Sequence, residues 1–153
     1  MNRHAVRTSV VAHATGWDMG FHAHPSHEIS VVLEGRGEFE CGGVVRSLER
    51  GHTVLIPPGL SHAYRCSGTG IRFAVLEIEA APDDTLRFFE RLAPGASPVL
   101  LALSPLALEE YERLFGSWLR TISGSLEEEQ AVIHTWVNLL LLFHLQHFNA
   151  GTS

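Results

Sequence analysis

Residues 16–35, GWDMGFHAHPSHEISVVLEG, narrow what this chain can become more than any other stretch. They set His22, His24 and Glu28 at steps of two and four. Side chains along an extended strand alternate faces, so the spacing predicts a strand over 22–34 with all three groups on one side. By the same parity Val31 and Leu33 oppose Val32, so this strand is apolar on both faces in its second half. A strand of that kind belongs inside a small barrel or a double sheet. A second cluster, GHTVLIPPGLSH over 51–62, breaks a β-rich run with Pro57, Pro58 and Gly59 before delivering His62. Two imidazoles and a carboxylate from one strand, with an imidazole from a second segment, make a ligand set for a divalent transition metal.

The rest of the first half reads as short strands between glycine turns. Residues 5–12 alternate weakly and are β-branched. Residues 15–20 read as a loop, with Trp17 either a rim aromatic or a core plug. Gly35 and Gly37 punctuate the ligand strand, and Gly42-Gly43 joins GEFEC to VVRSLE as a hairpin. TVLIP and IRFAVLEIE complete the set, in which Ile71, Phe73 and Val75 alternate with Arg72, Ala74 and Leu76. Such a pattern indicates a sandwich or barrel of the jelly-roll kind.

After Ala80 the periodicity changes. Asp83 or Asp84 can cap a short helix over 85–92, stopped by Pro94-Gly95. Residues 99–103 suit either a strand or an extended connector. Ser104-Pro105 opens a helix in which Leu108, Tyr111, Phe115, Trp118 and Ile122 form a one-sided apolar stripe, and Ser123-Gly124 ends it. Ser125 with Glu128 is a capping box for a final helix from 126 to about 148. That helix has two stripes: Ile133, Trp136, Val137 and Leu140, and Val132, Leu139, Leu142 and Phe143. One can pack internally. The other is expected to meet its copy in a homodimer, the alternative being cover from the preceding helix and the barrel. Residues 149–153 read as the start of a linker.

Net charge of −6 and a pI near 5.9 leave no basic footprint for nucleic acid, so this chain alone is expected not to bind DNA. The N-terminus lacks a signal-peptide core, and LLLLF is far short of a membrane span, so a cytoplasmic protein with no membrane contact is expected. Cys41 and Cys66 read as reduced, inert small hydrophobes. Of ten histidines the ligand set uses His22, His24 and His62. His27 points to the opposite face by parity, and His52, beside a turn, is expected in solvent. His134, His144 and His147 on the last helix are expected in solvent too. Tyr64 and Arg65 are assigned to core or rim packing.

These spacings resemble the cupin superfamily. Its first motif runs glycine, five residues, His-x-His, three residues, glutamate, six residues, glycine, matched here by Gly16, His22, His24, Glu28 and Gly35. Its second runs glycine, five residues, proline, one residue, glycine, two residues, histidine, three residues, asparagine. Gly51, Pro57, Gly59 and His62 match it, and Cys66 replaces the asparagine, which is not usually a ligand. The resemblance implies a mainly β fold, a cupin jelly-roll β-barrel over 1–81, followed by a C-terminal α-helical hairpin over 82–153. It implies metal ligands at His22, His24, Glu28 and His62 for zinc, nickel, iron or manganese.

A barrel followed by a helix pair, with the phrase HAHPSHEISVVLEGRGEF, is similar to the N-terminal sensing and dimerisation domain of AraC-type transcription regulators. That likeness implies a small-molecule effector in the barrel, a homodimer through the C-terminal helices, and a DNA-binding domain absent from this chain. The alternative is a small metal-dependent cupin enzyme, a dioxygenase or isomerase. A mixed His/Glu site with open positions can bind dioxygen with iron or polarise a carbonyl.

Overall fold

One strand serves two sheets, and the rest of the β structure is built on it. The computed structural model describes residues 5–66, 68–95, 97–121 and 126–151. Its elements run β1 (Ala5–Ala14), β2 (His27–Cys41), β3 (Val44–Glu49), β4 (His52–Ile56), β5 (His62–Arg65), β6 (Gly70–Glu79), α1 (Asp83–Leu92), β7 (Val99–Ala102), α2 (Pro105–Thr121) and α3 (Leu126–Gly151). The first half of β2 pairs with β4 and β6, and its second half with β3 and β5, all antiparallel. β1 lies beyond β6 and β7 beyond β4, giving the order β1-β6-β2-β4-β7. Of the ambiguous residues at 99–103, Val99–Ala102 therefore form an edge strand.

Gly35 was expected to end the ligand strand, and instead it bends it. The register with β6 shifts between Val32 and Glu34, and Gly35 has φ +87. A Cβ there would lie 1.9 Å from the Gly70 carbonyl oxygen. Only glycine fits so close an approach at a positive φ. The strand also starts later than its parity suggests, at His27 rather than residue 22. Pro25 has no N–H for a ladder, and Gly20 turns the chain at φ +71. The Gly42-Gly43 hairpin forms as expected, with Cys41 opposite Val44 and φ of +59 and +79, the signs a type I′ turn needs.

The two faces of β2 enter different cores. Val32 packs between the sheets with Phe39, Leu48, Ile56, Tyr64 and Phe73. Ile29, Val31 and Leu33 face outward, where Leu76, Ile78 and the helices cover them. The α2 stripe behaves as its period requires: Leu108, Tyr111, Phe115 and Trp118 are buried. The Trp118 indole N–H also donates to Thr8 Oγ1 at 2.9 Å, fixing α2 to β1. Ile122, the stop at Ser123-Gly124 and the Ser125 capping box lie outside the described residues.

α1 begins at Asp83 with Pro82 in the cap position and no side-chain cap. Asp84 has another task. It accepts from Asn138 Nδ2 at 2.9 Å and lies 2.9 Å from His134 Nε2, while Thr85 Oγ1 donates to Asn138 Oδ1 at 2.7 Å. This polar pin ties α1 to α3, so His134 is not simply solvated. On α3, Val137 and Leu140 are buried as expected. Phe143, placed by sequence in the second stripe, belongs to the core beside Tyr111, with ring centroids 5.8 Å apart. Leu139 and Leu142 remain 40% and 39% exposed. The helix runs on to Gly151 in place of the expected linker. Among the described residues no helix is long and apolar enough to cross a membrane.

His144 corrects the sequence reading most sharply. It is fully buried, with the Tyr111 ring 4.8 Å away and the Phe143 ring at 6.2 Å. Being next to Phe143, it falls where α3 turns inward onto α2. Burial, with a smaller push from His147, lowers its pKa from 6.5 to about 3. The folded state therefore refuses a proton that the unfolded chain takes near pH 6.5. Stability from this site is fully present above about pH 6.5 and declines as pH falls toward about 3, by at most ~1.4 kcal/mol per pH unit. His144→Phe is expected to flatten that loss: its urea midpoint should fall less between pH 7 and pH 5 than the wild type's. Parallel curves would show that His144 does not set the acid limb.

Candidate metal centre

The imidazoles are assembled by a bridge and not by strand parity. His22 and His62 exchange both backbone hydrogen bonds, His22 N–H to His62 O at 3.0 Å and His62 N–H to His22 O at 2.9 Å. That places their ring centroids 4.3 Å apart. The Gly59 N–H donates to the His24 carbonyl at 2.8 Å and ties the Pro-Pro-Gly turn to the same segment. The donor atoms of His22, His24 and His62 lie within 4.8 Å of one another.

Glu28 enters from β2 and is buried. Its Oε1 lies 3.1 Å from His24 Nε2, and its Oε2 accepts from Ser30 Oγ at 2.9 Å and Tyr64 Oη at 2.8 Å. Burial pushes this carboxyl up. The bonds from His24, Tyr64 and Ser30, with the field of His62, outweigh it and hold the group below the usual carboxylate range. The same bond to Glu28 raises the His24 imidazole against its burial. Burial lowers His62.

The three imidazoles suit a divalent transition ion, and Glu28 is grouped with them only through His24. His62 Nδ1–H donates to the Leu60 carbonyl at 2.8 Å, which leaves Nε2 as a lone-pair donor. That atom is buried and has no hydrogen-bond partner. A buried polar atom without a partner is costly in a core, and a cation would satisfy this one. Two ligands bound at about 2.1 Å on one ion stand roughly 3.0–3.4 Å apart, and His24 Nε2 and Glu28 Oε1 already do, at 3.1 Å.

A cavity of about 250 Å³ opens beside the cluster. His22, Glu28 and Tyr64 share its lining with Val11, Trp17 and Phe73. Trp17 resolves as a rim aromatic: it stacks on His13 with centroids 3.6 Å apart and planes 3° from parallel. Tyr64, assigned from sequence to packing, is a buried hydrogen-bond donor to the site. Arg65 is a rim group, 2.6 Å from Glu40 and 3.6 Å from Glu38. His27 faces outward as parity requires and stacks on Phe89 at 4.4 Å. His52 is half-buried, its Nδ1 accepting from the Glu49 N–H at 3.1 Å. Cys41 and Cys66 are free, buried thiols in the barrel interior.

Sequence reasoning missed Glu77. It stands directly opposite Glu28 on β6, and its donor atom, with those of His24 and Glu28, forms a second group within 4.8 Å. Burial and the facing Glu28 push its carboxyl up. The signal was available: Glu77 continues the parity of Ile71, Phe73 and Val75, the face that lines the barrel.

Residues 9–79 match the family model described as "Cupin domain". No curated protein matches the chain. Among solved structures, the chain is similar to a conserved protein of unknown function from Streptococcus pyogenes, at 18% identity and a TM-score of 0.48, covering 53% of this chain and 70% of that one. It is similar to a Cupin 2 conserved barrel domain protein from Salinispora arenicola, at 26% identity and 0.46, covering 49% and 64%. A DMSP lyase from Ruegeria pomeroyi shares 29% identity at 0.45, covering 61% of this chain and 42% of the lyase. The match to the cupin model spans the β part of this chain, from within β1 to the end of β6.

Proposed function

We propose that this chain is the sensing and dimerisation domain of an AraC-type transcription regulator. It holds a divalent transition metal on His22, His24, Glu28 and His62, and a small-molecule effector in the adjoining cavity. When bound, the ion supplies coordination positions that grip a small chelating group. The chain's own residues set the receiving geometry: Tyr64 and Ser30 hold Glu28, and the Leu60 carbonyl fixes the His62 tautomer.

The observation that carries the reading is the double duty of β1. Ser9, Val11 and His13 line the cavity with one face of that strand. On the other face Val6 packs into the helix-covered core and Thr8 accepts from Trp118. A displacement of the cavity wall is therefore felt by α2 through a single strand. An effector that prefers one arrangement of this wall biases the helices by its differential affinity and by nothing else. Operator recognition, on this reading, belongs to a helix-turn-helix domain that these residues do not include.

The helices offer a face for a second copy. Leu139 and Leu142 of α3 and Leu119 of α2 are exposed, and residues 130–153 contain no Asp, Glu, Lys or Arg. An uncharged, leucine-bearing surface suits a two-fold contact.

Three outcomes test this reading. His24→Ala with His62→Ala should abolish bound metal while leaving dimers; metal retained at full stoichiometry by elemental analysis would reject the site. Leu139→Glu with Leu142→Glu should raise the dimer dissociation constant on the order of a hundredfold, read by sedimentation. Unchanged dimers would move the contact elsewhere. Nickel added to metal-stripped protein should slow amide exchange in β1 and α2 as well as around residues 22–28. Protection confined to the ligand segments, or turnover of a small carboxylate or diketone by the iron-loaded chain, would replace the sensor with a structural ion or an enzyme.

A further inference from the structure

The chain has no lysine, and among the described residues no arginine reaches the cavity beside the imidazoles. The same wall holds two carboxyls, Glu28 and Glu77. An anionic ligand there would meet like charge and no cationic side chain. A cationic ligand is not called for either. Glu28 already takes bonds from His24, Tyr64 and Ser30, and it stands directly opposite Glu77, so the two carboxyls can share a proton. An uncharged ligand remains.

What this wall offers such a ligand is chiefly a hydrogen-bond acceptor. The Tyr64 and Ser30 hydroxyls are both spent on Glu28 Oε2. Among the described residues Glu77 is hydrogen-bonded to no side chain but Glu28, so it keeps lone pairs at the cavity wall with or without a shared proton. Most of the remaining wall is ring and thioether. Phe73 meets Tyr64 edge-on, with centroids 5.3 Å apart, and both are buried. At the rim Trp17 lies flat on His13, and Met19 follows it. Aromatic rings and a thioether sulfur both favour an aromatic guest over an aliphatic one. Size sets the last limit. An apolar cavity of roughly 150 Å³ accepts benzene. This one, at about 250 Å³, has room for a single ring and a substituent.

We propose that the cavity takes a small uncharged aromatic molecule with one hydrogen-bond donor, of the phenol class. Its ring lies against Phe73 and Trp17, and its hydroxyl donates to Glu77. The inference rests on the effector reading of this cavity given above and names the chemistry of that effector. It does not depend on an ion, because the rings and the acceptor belong to the chain.

The test titrates the metal-stripped full chain with phenol, toluene, cyclohexanol, benzoate and benzylammonium, and reads each dissociation constant from backbone amide shifts. Phenol should bind at least about tenfold more tightly than each of the others: toluene lacks the donor, cyclohexanol the ring, and the last two carry charge. Val75→Phe, which fills the cavity from β6, should abolish phenol binding while its circular dichroism and melting point match those of the wild type. Should that variant fail to fold, nuclear Overhauser contacts from phenol to Val75 and Phe73 in the wild type give the same answer. Benzoate or benzylammonium binding as tightly as phenol, or phenol bound by a folded Val75→Phe, would overturn the assignment. If another probe binds best and Val75→Phe blocks it, the cavity stands as an effector site and the phenol class falls. If no probe shifts the cavity residues, the effector reading falls with it, and the metal site is judged by His24→Ala with His62→Ala alone.

Discussion

A buried carboxylate has to be compensated, and the interior of this barrel is arranged to compensate Glu28. Left alone in a low-dielectric core, the group would take up a proton and cease to be a ligand. Tyr64 and Ser30 prevent this by donating to one oxygen while His24 meets the other. Each donor depends on a separate part of the fold. Tyr64 comes from β5, which pairs with the second half of β2; Ser30 comes from β2 itself; His24 comes from a segment held by the Pro-Pro-Gly turn. The bend at Gly35 is what lets one strand supply both the carboxylate and the pairing edge for its principal donor.

The fold was legible where a period or a turn chemistry was strong. Val31 and Leu33 against Val32 gave a strand with two cores, and the α2 stripe gave a buried face that the structure reproduces at Leu108, Tyr111, Phe115 and Trp118. The meeting of the three imidazoles was legible as well, although for an incomplete reason. Parity placed His22 and His24 on a strand, whereas a loop bridged to His62 brings them in. The spacing survives because it serves that bridge and the Gly59 tie, and neither is visible in a local pattern. Parity alone could put Glu77 on the barrel-lining face, but not opposite Glu28, because register across a sheet is a tertiary fact. His144 and Phe143 were misplaced for a related reason. A helix that is apolar nearly all round has no single face to read, so only its neighbours decide which residues are covered.

The helices are not an appendage resting on a finished barrel. The outward face of β2 and β6 shares one core with α2 and α3, in which Ile29, Leu76 and Ile78 pack with Tyr111, Trp118 and Leu140. Removing the helices would expose that sheet face, and removing the sheet would leave α2 without cover. The Thr8–Trp118 bond and the Val6 contact join that core to β1, the strand whose other face lines the cavity.

What can move is limited by how much of the site is already formed. His24 Nε2 and Glu28 Oε1 stand at the separation of two ligands on one ion, and the His62 tautomer is fixed from behind. In a zinc finger the ion organises the chain, and binding energy is folding energy. Here the barrel organises the donors first, so an arriving ion or chelating ligand has little core to rearrange. The cavity beside the donors is walled by the segment carrying Trp17 and Met19, tied to the barrel through Tyr64 and Cys66, and by β1, which is paired with β6 along its whole length. The second of these touches the helices. On the sensor reading proposed above, a rigid centre beside one shared wall would transmit better than a flexible one, because strain that the ligands cannot absorb would have β1 as its outlet.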